Sequence, residues 1–161
     1  MNIEAGITVI TDPHDPRLEQ LLPMFEDLHR VMHRHGMLIQ LAPDGARIWL
    51  NGFRNGLERF SRMVIAEAEG RVIGFTCGSI KLAPEYLGGE RIGHWTHLYV
   101  DQAFRMSGVA RRMTEALHNW FAGKGITDIE TQVVVDHPSS VPFVESFGYR
   151  MEWYNFRKTE Q

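Results

Sequence analysis

The segment Arg105-Met106-Ser107-Gly108-Val109-Ala110 constrains this chain more than any other, because it joins a strand pattern to a helix pattern through a turn of small residues. Upstream, His94-Trp95-Thr96-His97-Leu98-Tyr99-Val100 is rich in aromatic and β-branched residues and stops at Asp101, as a strand does. Downstream, Val109, Met113, Ala116, Leu117, Trp120 and Phe121 recur at helical spacing, and Gly123 supplies a stop. A helix start leaves backbone N–H groups without intrahelical partners, and the helix dipole adds partial positive charge there. Gly108 and Ala110 keep side chains out of the way. Arg105, Arg111 and Arg112 crowd the same turn, although cations are disfavoured at a helix N-terminus unless something negative sits there. The turn reads as a site for phosphate or pyrophosphate.

The rest of the chain restricts the fold around this unit. At 161 residues, positions 1–161 read as one domain with a single core. Ile7–Ile10 reads as a first strand closed by Asp12-Pro13, followed by a helix marked by Leu18, Leu21, Leu22, Phe25, Leu28 and Met32 that ends near Gly36. Asp44 is placed to cap a second helix carrying Ile48, Trp49, Phe53 and Leu57. Met63–Ala68 and Arg71–Leu82 form a hairpin around Glu69-Gly70, and a loop with Pro84 and Gly88-Gly89 leads to the strand near Ile92. Later strands are expected over Asp128–Val135 and Tyr149–Arg157. Such a mixture implies an α/β sandwich, a mixed sheet with helices on both faces.

Composition removes several classes of function. A net charge of -3 gives no basic footprint for nucleic acid. No apolar run is long enough to span a bilayer, and Met1-Asn2-Ile3-Glu4 lacks the basic-then-apolar pattern of a signal peptide. The single cysteine, Cys77, cannot form an internal disulfide and suits a reducing, cytoplasmic setting. It lies in a strand pattern and reads as a small core residue rather than a nucleophile. His29, His33 and His35 have the spacing of metal ligands, but no carboxylate or cysteine pattern accompanies them. A solvated helix end is the simpler reading, and no metal is expected.

The anion-binding turn is neither a dinucleotide fingerprint nor a P-loop, since Gly-x-Gly-x-x-Gly and Gly-Lys-Ser/Thr are both missing. Arg-x-x-Gly-x-Ala preceded by Leu98-Tyr99-Val100 instead resembles the acyl-CoA pyrophosphate loop of the GNAT superfamily of N-acyltransferases. Phe143-Val144-Glu145-Ser146-Phe147-Gly148-Tyr149 is similar to that family's late Phe-Tyr-Glu-Lys-Leu-Gly-Phe segment, and Arg71-Val72-Ile73-Gly74-Phe75 looks like its third strand. The resemblance covers roughly Val64 to Phe156. It implies a GNAT-like three-layer sandwich whose mixed, mostly antiparallel sheet has about six or seven strands.

What the resemblance implies about chemistry is transfer of an acetyl or short acyl group from acyl-CoA to a primary amine on a small molecule, peptide or protein. Backbone groups of Leu98, Tyr99 and Val100 would meet the thioester and pantetheine arm, which would add between Leu98–Val100 and Gln132–Val134. Met106, Ser107, Gly108, Val109 and Ala110, flanked by Arg105 and Arg111, would hold the pyrophosphate. His137 and Ser140 stand where the family places an asparagine and an alanine beside the cofactor. His94 is the first candidate for general base, being a group that titrates near neutrality. Strict strand alternation puts His97, the reserve candidate, and Tyr99 on the opposite face, unless a bulge re-aims them. Val144 occupies the position of the family's usual acidic tyrosine and has no proton to give, leaving Tyr99, Tyr149 or Tyr154 as substitutes from elsewhere. The two helices before the second strand would form the acceptor side. The stripe of Trp49, Phe53 and Leu57 reads as core whose end lines the acceptor mouth. Arg54, Arg59 and Arg62 read as a solvated basic surface, with an anionic acceptor the sharper alternative. Glu85 and Glu90 could attract an amine. A non-catalytic acyl-CoA-binding module is the alternative from a different class, and a homodimer is compatible with either.

Overall fold

The computed structural model describes residues 4–160. Five strands form one sheet in sequence order: β1 (Gly6–Ile10), β2 (Ser61–Ala68), β3 (Arg71–Leu82), β4 (Arg91–Val100) and β5 (Ile129–Thr131). Neighbours are antiparallel except β4 and β5, which run parallel. A parallel pair needs a crossover, and α3 (Val109–Gly123) supplies it. β2 and β3 sit inside the sheet and are buried on both faces from Met63 to Ala66 and from Val72 to Cys77, which is why both read as continuous apolar runs rather than alternating ones.

Helices cover both faces. α1 (Leu21–Arg34) and α2 (Gly45–Asn55) pack on one, where Leu21, Phe25, Ala46 and Leu50 meet Met63, Ile65, Phe75 and Cys77. α3 packs on the other, with Met113, Leu117 and Phe121 against Val64, Ile73 and Trp95. Phe143 and Val144 of the short α4 (Ser140–Glu145) add to this second layer. Each of these large apolar side chains stabilises the fold by roughly 1.5–3 kcal/mol through burial. The left-handed glycine at the end of α3 is Gly125 (φ +75°) rather than Gly123. No helix among the described residues is long and apolar enough to cross a membrane.

The expected sandwich is present, with two corrections to its strands. The strand expected over Asp128–Val135 is only Ile129–Thr131. Beyond it the chain leaves β4, at the level where β4 carries a bulge that increases local twist. The strand expected over Tyr149–Arg157 does not form. Met151–Glu160 is exposed and joins no ladder, because a strand pattern only becomes a strand where a neighbour bonds its backbone. Five strands, not six or seven, make the described sheet.

Candidate active site

The site begins with the bulge. Cys77 of β3 pairs with His97 and Gly78 pairs with Trp95, so Thr96 is the extra residue. One extra residue reverses the facing of everything after it. Trp95 therefore packs toward α3 and α4, against His118, Phe143 and Tyr149. His97, two residues on, faces α1 and α2, against Phe25 and Trp49. His94 pairs across from Ser79, which lines the same pocket as His97. The expectation that His94 and His97 lie on opposite faces is thus corrected: His94, His97 and Tyr99 share the α1/α2 face. Leu98 and Val100 turn the other way, into the α3 layer.

Three threonines fix this irregularity. Thr76, fully buried, donates to the His97 carbonyl at 2.8 Å and accepts from the Trp95 indole at 2.8 Å. Thr96 donates to the Cys77 carbonyl at 3.1 Å. Thr131 donates to the Trp95 carbonyl at 2.8 Å, at the last rung where β5 pairs with β4. From Thr96 to Val100 the β5 side of β4 has no paired strand among the described residues, leaving backbone groups that an extended ligand can bond. The exception is the Val100 carbonyl, which accepts from Arg105 Nε at 2.9 Å.

The turn follows directly. Met106 and Gly108 are both left-handed (φ +62° and +82°). Nothing lies within 4 Å of a Cβ built on Gly108, so backbone conformation rather than crowding explains the glycine. Gly108 caps α3 without a side-chain bond. Backbone N–H groups from Met106 to Arg111 find no acceptor among the described residues. That run of free donors at a helix start, with two left-handed residues, has the form of an anion cradle. Of the three arginines, Arg105 lies over the Tyr99 ring, Arg111 donates to Ser146 Oγ at 2.9 Å, and Arg112 donates to the Ala5 carbonyl at 2.8 Å. His137, in the loop before α4, stacks edge-on with His35 at 4.7 Å and lies near enough to Arg105 for its imidazole to be disfavoured as a cation, after the larger effect of burial. Ser140 is the first residue of α4.

Electrostatics separate the two histidines. Burial, then the neighbouring His29 and His94, hold the His97 imidazole down to about 4. His94 is half-buried; burial and Lys81 lower it, while Glu130 opposes them. Lys81 and Glu130 themselves form an ion pair beside it. On the same face Tyr99 donates its hydroxyl to Asp27 Oδ2 at 2.6 Å. Burial, then Asp27, push the Tyr99 hydroxyl up to about 12, so it is protonated at neutral pH. Tyr149 is on the opposite layer, its hydroxyl 2.6 Å from His118 Nε2, and Tyr154 is exposed in the tail. Cys77 is buried with its thiol pushed up to about 12 by desolvation, a core residue.

Several readings of surface charge change. Arg54 pairs with Glu19 at 2.8 Å and Arg62 with Glu58 at 2.9 Å, so neither is a free solvated cation. Glu85 and Glu90 are exposed in the β3–β4 loop and do not line the pocket that Ser79 and His97 share. Sequence reasoning missed the Tyr99–Asp27 pair, the threonine lock and the rings around His97. Their partners lie 19 to 72 residues apart, with no local pattern linking them. No group of His, Cys, Asp or Glu able to hold a metal occurs among the described residues.

Comparison with known proteins agrees with this fold. The sequence model of the acetyltransferase (GNAT) family matches residues 19–149. No curated protein matches the sequence. Among solved structures, the aminoglycoside N-acetyltransferase AAC(6')-Iy in complex with CoA is 18% identical with a TM-score of 0.75, covering 100% of this chain and 98% of that one. A predicted acetyltransferase from Clostridium acetobutylicum with acetyl-CoA is 18% identical with a TM-score of 0.74, covering 96% of each chain. A ribosomal-protein-alanine N-acetyltransferase from Brucella melitensis biovar Abortus 2308 is 14% identical with a TM-score of 0.67, covering 98% and 100%.

Proposed function

This chain belongs to the GNAT acetyltransferase family, and from that premise we propose that it moves an acetyl or short acyl group from acyl-CoA to a primary amine by direct attack in a ternary complex. The observation that carries the reading is the run of unpartnered N–H groups from Met106 to Arg111, set immediately after the open edge of β4. Those donors, with Gly108 at their centre and Arg105 and Arg111 at their margins, bind the pyrophosphate. Backbone groups of Leu98 to Val100 bond the pantetheine arm, while His137 and Ser140 border it. Holding both reactants in line supplies much of the acceleration, worth up to roughly 7–11 kcal/mol.

The amine nitrogen attacks the thioester carbonyl, a C–N bond forms, the C–S bond breaks, and the amine proton must reach a base. His94 takes that role. A base works best with a pKa near the working pH, and the imidazole of His97, held near 4, is too weakly basic. His97 instead presents a neutral ring to the acceptor. Val144 cannot protonate the departing thiolate, and Tyr99 donates its hydroxyl to Asp27 with a pKa pushed up to about 12, so the thiolate, a good leaving group, takes its proton from water. The valine also favours a second reading, a module that binds acyl-CoA without turnover.

Calorimetry with CoA tests the central assignment. Parent protein should bind, and Gly108→Glu should lose binding with an unchanged circular dichroism spectrum, because a carboxylate would stand where the anion sits. Equal binding by that variant would remove the loop from the site. Binding without acetyl-CoA consumption across a broad amine panel would select the second reading.

A further inference from the structure

A pocket of about 380 Å³ opens on the α1/α2 face, lined by Trp49, Phe53, Phe60, Ser79, Thr96 and His97. Its size is that of a small-molecule site. Thr96 is the bulge residue and His97 follows it, so the pocket reaches the strand position where the open edge of β4 begins. Its walls are aromatic: Trp49 stacks on Phe25 at 4.1 Å, lies 6.1 Å from Phe53, and meets the His97 ring edge-on at 5.6 Å. Its polar side chains are Ser61 of β2, Ser79 of β3, Thr96 and His97 of β4, and the indole N–H of Trp49.

No carboxylate lines this pocket. Of the acidic groups on the surrounding elements, Asp27 accepts from Tyr99, Glu58 pairs with Arg62 through one of its two oxygens, Glu130 pairs with Lys81, Glu19 holds Arg47 and Arg54, and Glu26 is exposed on α1 outside the pocket lining. At the rim, Arg59 lies over the Phe60 ring at 4.8 Å and adds positive charge. An acceptor bearing several ammonium groups would enter with no counter-charge to replace its water, which is costly. An acceptor with one amine on a flat apolar body gains from burial, roughly 25 cal/mol per Å², and from ring-to-ring packing. Both ring nitrogens of His29 are buried without a partner beside His97, so this layer contains neutral imidazoles rather than anions.

Resting on the acyl-transfer reading above, we propose that the acceptor is an arylalkylamine, with Trp49, Phe53 and Phe60 selecting its apolar body and polycationic amines rejected. The experiment is steady-state acetyl-CoA consumption at saturating acetyl-CoA, with phenethylamine and tryptamine compared against kanamycin and spermidine. The arylalkylamines should show kcat/KM at least tenfold higher, and Phe60→Ala should raise their KM at least fivefold, more than it lowers kcat. Kanamycin or spermidine turned over equally well, or a KM indifferent to Phe60→Ala, would overturn the proposal. Calorimetry of phenethylamine in the presence of CoA reads the pocket without turnover; absent binding there, with CoA still bound, also overturns it. Failure of CoA itself to bind would fall on the acyl-transfer reading instead.

Discussion

Two histidines three residues apart on β4 carry opposite consequences because burial treats them differently. His94, half-buried, is expected to give a pH–rate profile in which activity is lost as pH falls, since only neutral imidazole accepts a proton. Its midpoint should lie below the ordinary imidazole value, the direction set by burial and Lys81. His94→Gln should lower turnover at least about tenfold, some 1.4 kcal/mol of barrier, with CoA affinity unchanged; a wild-type profile in that variant would return the role to another group. His97 is instead a stability group. Its folded pKa of about 4 lies below the unfolded value, so the unfolded chain takes up the proton first. Stability is full above the unfolded value and lost as pH falls from about 6.5 toward about 4, by up to about 3 kcal/mol. Urea unfolding of parent and His97→Gln across that range should show a flatter dependence in the variant. The sequence displayed both imidazoles and their residue type; which one is basic depends on the rings of Phe25, Trp49 and His29, which only packing brings near.

The bulge in β4 shows how an element's irregularity escapes sequence reading. Alternation is a rule about regular strands, and one inserted residue reverses it from Thr96 onward. The signal was three threonines distributed over β3, β4 and β5, meaningful only once those strands are adjacent. Helix α3 was legible throughout, because a stripe repeating every three or four residues is local information. Its contact with the sheet is not, and Gly93 of β4 reports how close that contact is. A Cβ on Gly93 would meet the buried Phe121 ring at 2.9 Å and Ile129 at 3.1 Å, so Gly93→Ala should destabilise by about 1–3 kcal/mol. Nothing lies within 4 Å of a Cβ on Gly52 in α2, so Gly52→Ala should stabilise by up to about 1 kcal/mol through helix propensity. Thermal melts should move in opposite directions for the two variants.

At the scale of the whole molecule, the C-terminal segment stands out. Met151, Trp153, Tyr154 and Phe156 are 62%, 80%, 73% and 90% exposed, although their sequence reads as a strand. Large apolar side chains held in water favour association with a second surface. Light scattering at rising concentration should therefore show a mass above that of one chain, and the double variant Trp153→Ser, Phe156→Ser should return it to one. A single-chain mass for the parent at all concentrations would contradict this. The amino-acid sequence by itself determined the order of strands and helices as far as β5, the glycine turn before α3 and the residue types available for chemistry, because each is set by neighbours within a few positions. Tertiary structure alone decided that His94 and His97 share a face, that Tyr99 bonds Asp27, that the pocket on the α1/α2 face lacks a carboxylate and that the last strand pattern goes unpaired. Each of those depends on groups far apart in the chain, whose meeting is fixed by how two helical layers close on one twisted sheet.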